Sequence, residues 1–181
     1  MNGNITQTQK TIYDEIENQL AIPLGMQVWN RSLLIKEADD PTKLRYWAHP
    51  MWFSTRDMAK IGQLMLQKDK WNGKQIISKA WLNEMIKQRT NYKEVHKNFP
   101  VLKEKGVNFG YGYMWWLFED MKDNKFKDAY AAPKKMGQII AVFPAMNVVL
   151  AYKTKRAYGR ENSILVRMDI LKKIVNLFNP N

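Results

Sequence analysis

The sequence contains no cysteine and only two histidines, His49 and His96. The lack of cysteine excludes disulfides, thiolate catalysis and zinc–sulfur sites. Two histidines also disfavour a histidine-built metal centre. No apolar run approaches the ~20 residues that span a bilayer, and residues 1–10 lack the apolar segment of a signal peptide. We therefore expect no cofactor, no metal ion and no membrane span.

The composition is that of a globular protein: of 181 residues, 45% are hydrophobic and 25% are charged. Lysine and arginine number 29 against 17 acidic residues, which gives a net charge of +12. Such a charge suggests nucleic acid, an anionic membrane or an acidic polymer as a partner. The basic residues are dispersed, however, and the densest run, residues 152–160, is short. A lysine-rich globular protein is favoured over a nucleic-acid-binding protein.

The first 88 residues carry the periodicity of helices. Ile12, Ile16 and Leu20 share one face of a predicted helix that Pro23 and Gly25 end. A second helix is predicted from a capping pair, Ser54 and Asp57, followed by an apolar stripe of Met58, Ile61, Leu64 and Met65. Asn72-Gly73 predicts a tight turn. Ser78 is expected to cap a third helix with an apolar face formed by Trp81, Leu82, Met85 and Ile86.

The spacing of apolar residues changes in the second half of the chain. Residues 88–107 are polar and are predicted to be a loop, and residues 109–118 are predicted to be one strand with Tyr111, Tyr113 and Trp115 on one face. Residues 122–125 are predicted to form a hairpin turn, and residues 144–147 to join two of three further strands. Residues 162–178 are predicted to form an amphipathic helix that lies on the sheet.

The expected class is therefore α+β. We expect a single partial domain over residues 1–181, with a helical part at about 9–88 and a loop at about 89–107. An antiparallel sheet is expected at about 109–155 and a C-terminal helix at about 161–178.

The order of segments resembles the serine β-lactamase-related hydrolases, in the esterase, amidase and penicillin-binding-like branch. The resemblance runs from about Ile12 to Phe178 and is carried by segments starting at residues 23, 54, 71, 110 and 137: "PLGM", "STRD", "WNGKQIIS", "GYGYMWW" and "GQIIAVFP". It implies a parent enzyme that cleaves an ester, an amide or a β-lactam through an acyl-enzyme, and whose relatives are often exported.

The motifs that the family uses for catalysis are missing. The resemblance implies a nucleophile from S-x-x-K, a tyrosine from Y-x-N, and a K-T-G-like strand that supplies an oxyanion-hole amide. The four serines are followed three places on by Ile35, Asp57, Trp81 and Val166. No tyrosine is followed two places on by asparagine. We therefore interpret the chain as the C-terminal portion of such a hydrolase, inactive alone.

The remaining candidate site residues follow from the resemblance. Residues 129–138 occupy the K-T-G-like position, where Lys135 is the candidate for the oxyanion backbone amide and Lys134 a candidate substrate contact; an ordinary exposed turn is the alternative. His49 and Trp52 are candidates for an acyl pocket, and Tyr111 for the edge of a cleft; burial in the core is the alternative for these aromatic residues.

Two other functions stay open: a non-catalytic module that binds an anionic ligand through Lys134 and Lys135, and a basic nucleic-acid-binding protein. Loss of the first strands of such a hydrolase would leave a sheet edge unpaired. We therefore expect marginal stability, or association with an upstream chain or with a second copy.

Overall fold

The computed structural model describes residues 11–27, 51–68, 70–119, 122–134, 137–154, 171 and 173–178. The chain divides into two compact units, residues 1–57 and 58–181. Each unit is described by itself below. Helices and an antiparallel sheet are both present, so the predicted α+β class is confirmed.

The first unit contains helix α1, Ile12–Ile16, which continues as a wider π-helical turn over Glu17–Ala21. A capping box between Thr11 and Asp14 fixes its start. The predicted apolar face is wrong in part, because Ile12 is exposed whereas Tyr13, Ala21 and Leu24 are buried. The π turn adds residues per turn, so positions after Ile16 rotate away from the i, i+4, i+8 line.

Helix α2, Thr55–Leu66, begins where its capping pair predicts. The Ser54 hydroxyl accepts from the Asp57 backbone amide at 3.0 Å and donates to the Asp57 carboxylate at 2.7 Å. Asp57 is fully buried, and it also accepts from the backbone amide of Gln27 at 2.9 Å. This carboxylate therefore joins the segment after "PLGM" to the start of α2.

In the second unit, the two-residue strands β1, Lys70–Trp71, and β2, Lys74–Gln75, form a hairpin. Its turn residues Asn72 and Gly73 have φ of 49° and 78°, which confirms the predicted tight turn. Helix α3, Lys79–Met85, follows, and the hydroxyl of Ser78 caps it by accepting from the backbone amide of Trp81 at 3.1 Å.

Two predictions for this half of the chain are wrong. Residues 88–107 are not a loop, because helices α4, Tyr92–Asn98, and α5, Pro100–Glu104, lie within them. A capping box of Asn91 and Glu94 starts α4, and proline occupies the first turn of α5. Both start signals favour helices even where the sequence is polar.

The single strand predicted at 109–118 is also two strands, β3, Phe109–Tyr111, and β4, Trp116–Phe118. The turn between them places Met114 at φ 63°, so Tyr111, Tyr113 and Trp115 do not share a face. The N–H of Tyr113 donates to Met85 O at 2.8 Å, and a Cβ on Gly112 would lie 2.5 Å from the same oxygen. Contact with the end of α3 therefore holds the chain in this turn.

The remaining strands are β5, Tyr130–Lys134, β6, Gln138–Phe143, and β7, Val148–Lys153. The sheet is antiparallel throughout, in the order β3-β4-β5-β6-β7. Short 3-10 turns at Asn124–Phe126 and Pro144–Met146 fall where the two turns were predicted.

Each face of the sheet carries its own core. One contains Leu102 of α5, Leu171 and Val175 of the C-terminal helix, and inward residues of the strands such as Phe109, Ile139 and Phe143. The prediction that the C-terminal helix lies on the sheet is confirmed for these residues, and its earlier part lies outside the described residues.

The opposite core contains Met65 of α2, Leu82 of α3, Trp115, Tyr130 and Val142. Trp81 was predicted to join this face and does not: it is 53% exposed and stacks on Tyr113 with ring centroids 5.8 Å apart. The sheet is thus the middle of three layers.

Candidate functional site

The sequence resemblance predicts the K-T-G-like position at residues 129–138, which include the end of β5. β5 pairs with β6 along its whole length, from Tyr130 opposite Val142 to Lys134 opposite Gln138. Its pairing with β4 stops earlier, at Ala131 opposite Trp116. Three residues, 132–134, therefore extend past β4, and no strand in the described part of the chain pairs with them on that side.

Proline suits this extension. Pro133 has no backbone N–H to donate, and it is tolerated in a sheet where no ladder hydrogen bond is needed on its side. Its neighbour on β6 is Ile139. Alternation along β5 directs Ala132 and Lys134 toward β6, so the open side carries the backbone carbonyl of Pro133. The next amide in the chain after Lys134 belongs to Lys135.

The turn from β5 to β6 ends in Gly137, whose φ of 72° requires glycine or a strained residue. The N–H of Thr154 donates to Gly137 O at 3.0 Å, and a Cβ on Gly137 would collide with the Thr154 hydroxyl. That hydroxyl lies 3.1 Å from the phenol oxygen of Tyr152. Sequence reasoning missed Thr154 at this position, because only the β6–β7 register brings residue 154 beside residue 137.

The predicted site residues are placed as follows. Lys135 and His49 lie outside the described residues. Lys134 is the last residue of β5, and its side chain is not described. Trp52 belongs to the first unit, in the extended segment before α2, and is 56% exposed. No described contact joins Tyr111 to the end of β5.

Tyr111 lies on the other side of β4 from β5. Its ring meets that of Trp116 edge-on with centroids 5.1 Å apart, and its hydroxyl donates to the sulfur of Met114 at 3.5 Å. Tyr111 and Trp116 border a cavity of about 310 Å³, which is also lined by Thr90, Val95, Asn98 and Phe99. None of the described residues that line this cavity is charged, which suits a neutral, partly aromatic group.

The serines of the described residues are structural. Ser54 caps α2 and Ser78 caps α3, each through its hydroxyl.

The ring of Tyr130 is buried against α2, where its hydroxyl donates to Met65 O at 3.3 Å, and burial raises the pKa of this phenol well above the usual value. Tyr130 therefore stays protonated and is no general base.

The part of the chain that the structure describes shows no cluster of side chains able to hold a metal ion. Helices long and apolar enough to cross a membrane are also absent among these residues. The imidazole of His96 is engaged with the backbone oxygen of Val107 at 2.9 Å. The end of β5 can position a substrate through the backbone carbonyl of Pro133. Among the described residues, no nucleophile with an adjacent base lies there.

No protein-family model matches this chain. No curated protein matches it either. Among solved structures, it is similar to a Bacillus anthracis protein whose description is "putative 6-aminohexanoate-dimer hydrolase", with a TM-score of 0.55 and 20% sequence identity. The similarity covers 93% of this chain and 39% of that chain.

The chain shares the fold of part of that solved protein. At 20% identity, the similarity shows the fold alone, and the activity is a separate question. This chain spans 39% of the length of the solved hydrolase, so most of that protein has no counterpart here.

Proposed function

We propose that this chain supplies the C-terminal part of a serine hydrolase of the β-lactamase-related superfamily, and that an upstream polypeptide supplies the nucleophile. The complete protein would hydrolyse an ester, an amide or a β-lactam through an acyl-enzyme. The observation that carries this proposal is the fold similarity over 93% of this chain but only 39% of the hydrolase chain.

The end of β5 supports a role in holding the acyl group. An extended substrate can lie along the open side of residues 132–134 and donate a hydrogen bond to the backbone carbonyl of Pro133. The backbone amide of Lys135 is proposed to donate to the oxyanion, and Lys134, His49, Trp52 and Tyr111 are proposed to contact the substrate. The proline and lysines at this position make the site unlike a glycine-rich K-T-G strand.

Activity should be absent from the chain alone. None of the four serines is followed by lysine in the S-x-x-K spacing, and the two described serines are helix caps. We expect no turnover of a p-nitrophenyl ester, of a penicillin-type β-lactam or of the 6-aminohexanoate dimer. We also expect no labelling by a serine-directed fluorophosphonate.

The first test reads the genomic DNA upstream of the codon for Met1. An S-x-x-K motif in frame or in an adjacent frame would support the proposal, and the encoded upstream polypeptide would then be expressed together with this chain. We expect esterase activity from the assembled protein. In a separate reaction, we expect the fluorophosphonate to label the upstream serine. Replacing that serine by alanine is the matched control and should abolish both.

Two results would contradict the proposal. One is stoichiometric labelling of a single serine in the isolated chain, which would place the nucleophile here. The other is an upstream region without the motif, combined with an isolated chain whose midpoint temperature of thermal unfolding is raised by an added anionic ligand. That combination would favour the non-catalytic binding module.

A further inference from the structure

The cavity of about 310 Å³ beside α4 is separate from the end of β5, since none of its described lining residues belongs to β5. It is lined by α4 and the residue that follows this helix, and by one residue each of β3 and β4. Small-molecule sites in proteins usually measure about 300–1,000 Å³. The cavity therefore has room for one small ligand.

Aromatic rings form much of the lining. The ring of Trp116 meets those of Phe99 and Tyr111 edge-on, with centroids 5.8 and 5.1 Å apart. Trp116 and Tyr111 lie opposite one another in the β3–β4 pair, so the sheet fixes their spacing. Phe99 is 46% exposed and thus keeps ring surface for a further contact. An aromatic ligand can stack on these rings or meet them edge-on, and both arrangements are favourable.

Two uncharged polar side chains complete the lining. The backbone N–H and C=O of Thr90 are both paired with Tyr111, at 3.0 and 2.8 Å, which leaves the Thr90 hydroxyl as its remaining polar group. Asn98 adds a carboxamide. No described residue forms a hydrogen bond with this hydroxyl or with this carboxamide. Each can donate and accept, so the pair suits an amide or a hydroxyl group on the ligand.

The distribution of charge favours a small neutral ligand over a protein partner. Exposed positions of α4 next to the cavity residues carry Lys93, Glu94 and Lys97. The core of a protein interface is depleted of charged residues and needs a wider apolar patch than one cavity. None of the described lining residues is charged, so an ionised ligand would lose hydration there without gaining an opposite charge.

We propose that this cavity binds a small neutral molecule that carries an aromatic ring and an amide or hydroxyl group. The ring lies among Phe99, Tyr111 and Trp116, and the polar group bonds to the Thr90 hydroxyl or the Asn98 carboxamide. Binding here needs neither a nucleophile nor an upstream polypeptide. In the proposed hydrolase the cavity would receive an aryl group of the substrate, and only that extension rests on the proposed function.

The isolated chain is titrated with phenylacetamide and followed by nitrogen-15 NMR. We expect the indole N–H of Trp116 and the carboxamide of Asn98 to shift together and to saturate. A ligand of this size should give a Kd of about 1 mM or lower. Cyclohexylacetamide lacks the aromatic ring and should bind at least about threefold more weakly. Phenylacetate is charged and should bind at least about tenfold more weakly.

Phe99→Ala removes an exposed part of the lining and should weaken phenylacetamide binding about fivefold. Trp81→Ala is the matched control, because Trp81 is also an exposed aromatic residue and is not among the described lining residues. Binding by this control should equal that of the wild type. Circular dichroism checks that both variants are folded.

Asn98→Ala tests the polar contact and decides the question if Phe99→Ala does not fold. It should weaken the binding of phenylacetamide and leave the binding of toluene, which has no hydrogen-bonding group, unchanged. Lys97→Ala, at the preceding exposed position, should bind both probes as the wild type does.

The proposal is overturned if phenylacetamide shifts neither the Trp116 nor the Asn98 signal, if cyclohexylacetamide binds equally well, or if Phe99→Ala binds as the wild type does. If an upstream polypeptide is found, the assembled protein should still bind phenylacetamide. Loss of binding on assembly would assign the cavity to the contact between the two chains. A missing upstream S-x-x-K motif would refute the proposed function and leave these binding results unchanged.

Discussion

Gly62 of α2 and Val149 of β7 are in direct contact: a Cβ placed on Gly62 would lie 2.5 Å from Val149 Cγ1 and 3.0 Å from Ile140 Cγ2. The missing side chain lets the helix backbone approach the sheet. Neither neighbour can turn aside easily, because both are β-branched and held between layers.

Gly62→Ala should therefore destabilise the protein. Alanine in place of glycine inside a helix would by itself stabilise by about 1 kcal/mol, but overpacking of a filled core costs about 1–3 kcal/mol. We expect a net loss of about 1 kcal/mol in urea unfolding, with Gln63→Ala, at the next and exposed position of α2, near neutral. A more stable Gly62→Ala protein would mean that α2 does not approach the sheet this closely.

Asp57→Ala should lower the free energy of unfolding more than the loss of an exposed helix cap does. The substitution leaves the Ser54 hydroxyl and the Gln27 amide without their carboxylate acceptor. Losing the Asp57 half of the capping box, together with the hydrogen bonds from two part-buried donors to a buried carboxylate, costs about 2–4 kcal/mol. Ser78→Ala removes the exposed cap of α3 and should cost about 1 kcal/mol. Chemical denaturation compares the two, and equal losses would refute the importance of the buried carboxylate.

Glu119 should make stability fall as pH rises. Its Oε1 is shielded from solvent without a hydrogen-bond partner among the described residues, and it lies over Gly110. Burial raises the pKa of this carboxyl above 4.5, while contacts with the Tyr92 amide and the Gln88 side chain partly lower it. The folded state then binds more protons than the unfolded state, so its stabilisation, present at low pH, is lost as pH rises through the folded pKa.

Glu119→Gln removes the charge and should flatten this dependence. We expect the variant to gain stability relative to wild type at pH 8 and to gain less at pH 4, as measured by thermal unfolding. Glu104→Gln, at an exposed position of α5, is the control and should follow wild type at both pH values. A loss of stability for Glu119→Gln at pH 8 would show that the ionised carboxylate is stabilised after all.

Two tryptophans should respond very differently to truncation. Trp115 is 5% exposed and meets Tyr130 edge-on with centroids 5.2 Å apart, whereas Trp81 is 53% exposed. Trp115→Ala should cost about 3–5 kcal/mol. Trp81→Ala should cost no more than about 1 kcal/mol, the value of its stacking on Tyr113. Comparable losses in the free energy of unfolding for the two variants would mean that Trp81 is part of the core.

The elements that the sequence predicts well depend on local chemistry. The Ser54 and Ser78 caps, the Asn72-Gly73 turn and the turn at residues 144–147 each need only a few adjacent residues. The helix after Asn91 also had a local signal, the capping box with Glu94, which the polarity of the segment obscured.

The elements that the sequence predicts badly depend on contacts across the fold. The break between β3 and β4 follows from the Tyr113 hydrogen bond to Met85, and alternation of aromatic residues could not reveal it. The contact of Thr154 with Gly137 requires the register of β6 and β7. Trp81 has helical spacing with Leu82 and Met85. Which positions of α3 are buried, however, depends on the residues of other elements that pack against the helix.

The sequential order of the strands has a kinetic consequence. Each strand from β3 to β7 pairs with the strand next to it in the chain, and the β5–β6 and β6–β7 connections are short. Closing such short loops is fast, and sheets made of neighbouring hairpins fold faster than sheets that wait for distant segments. The sheet can thus assemble hairpin by hairpin as this part of the chain leaves the ribosome, before the C-terminal helix is available to cover it.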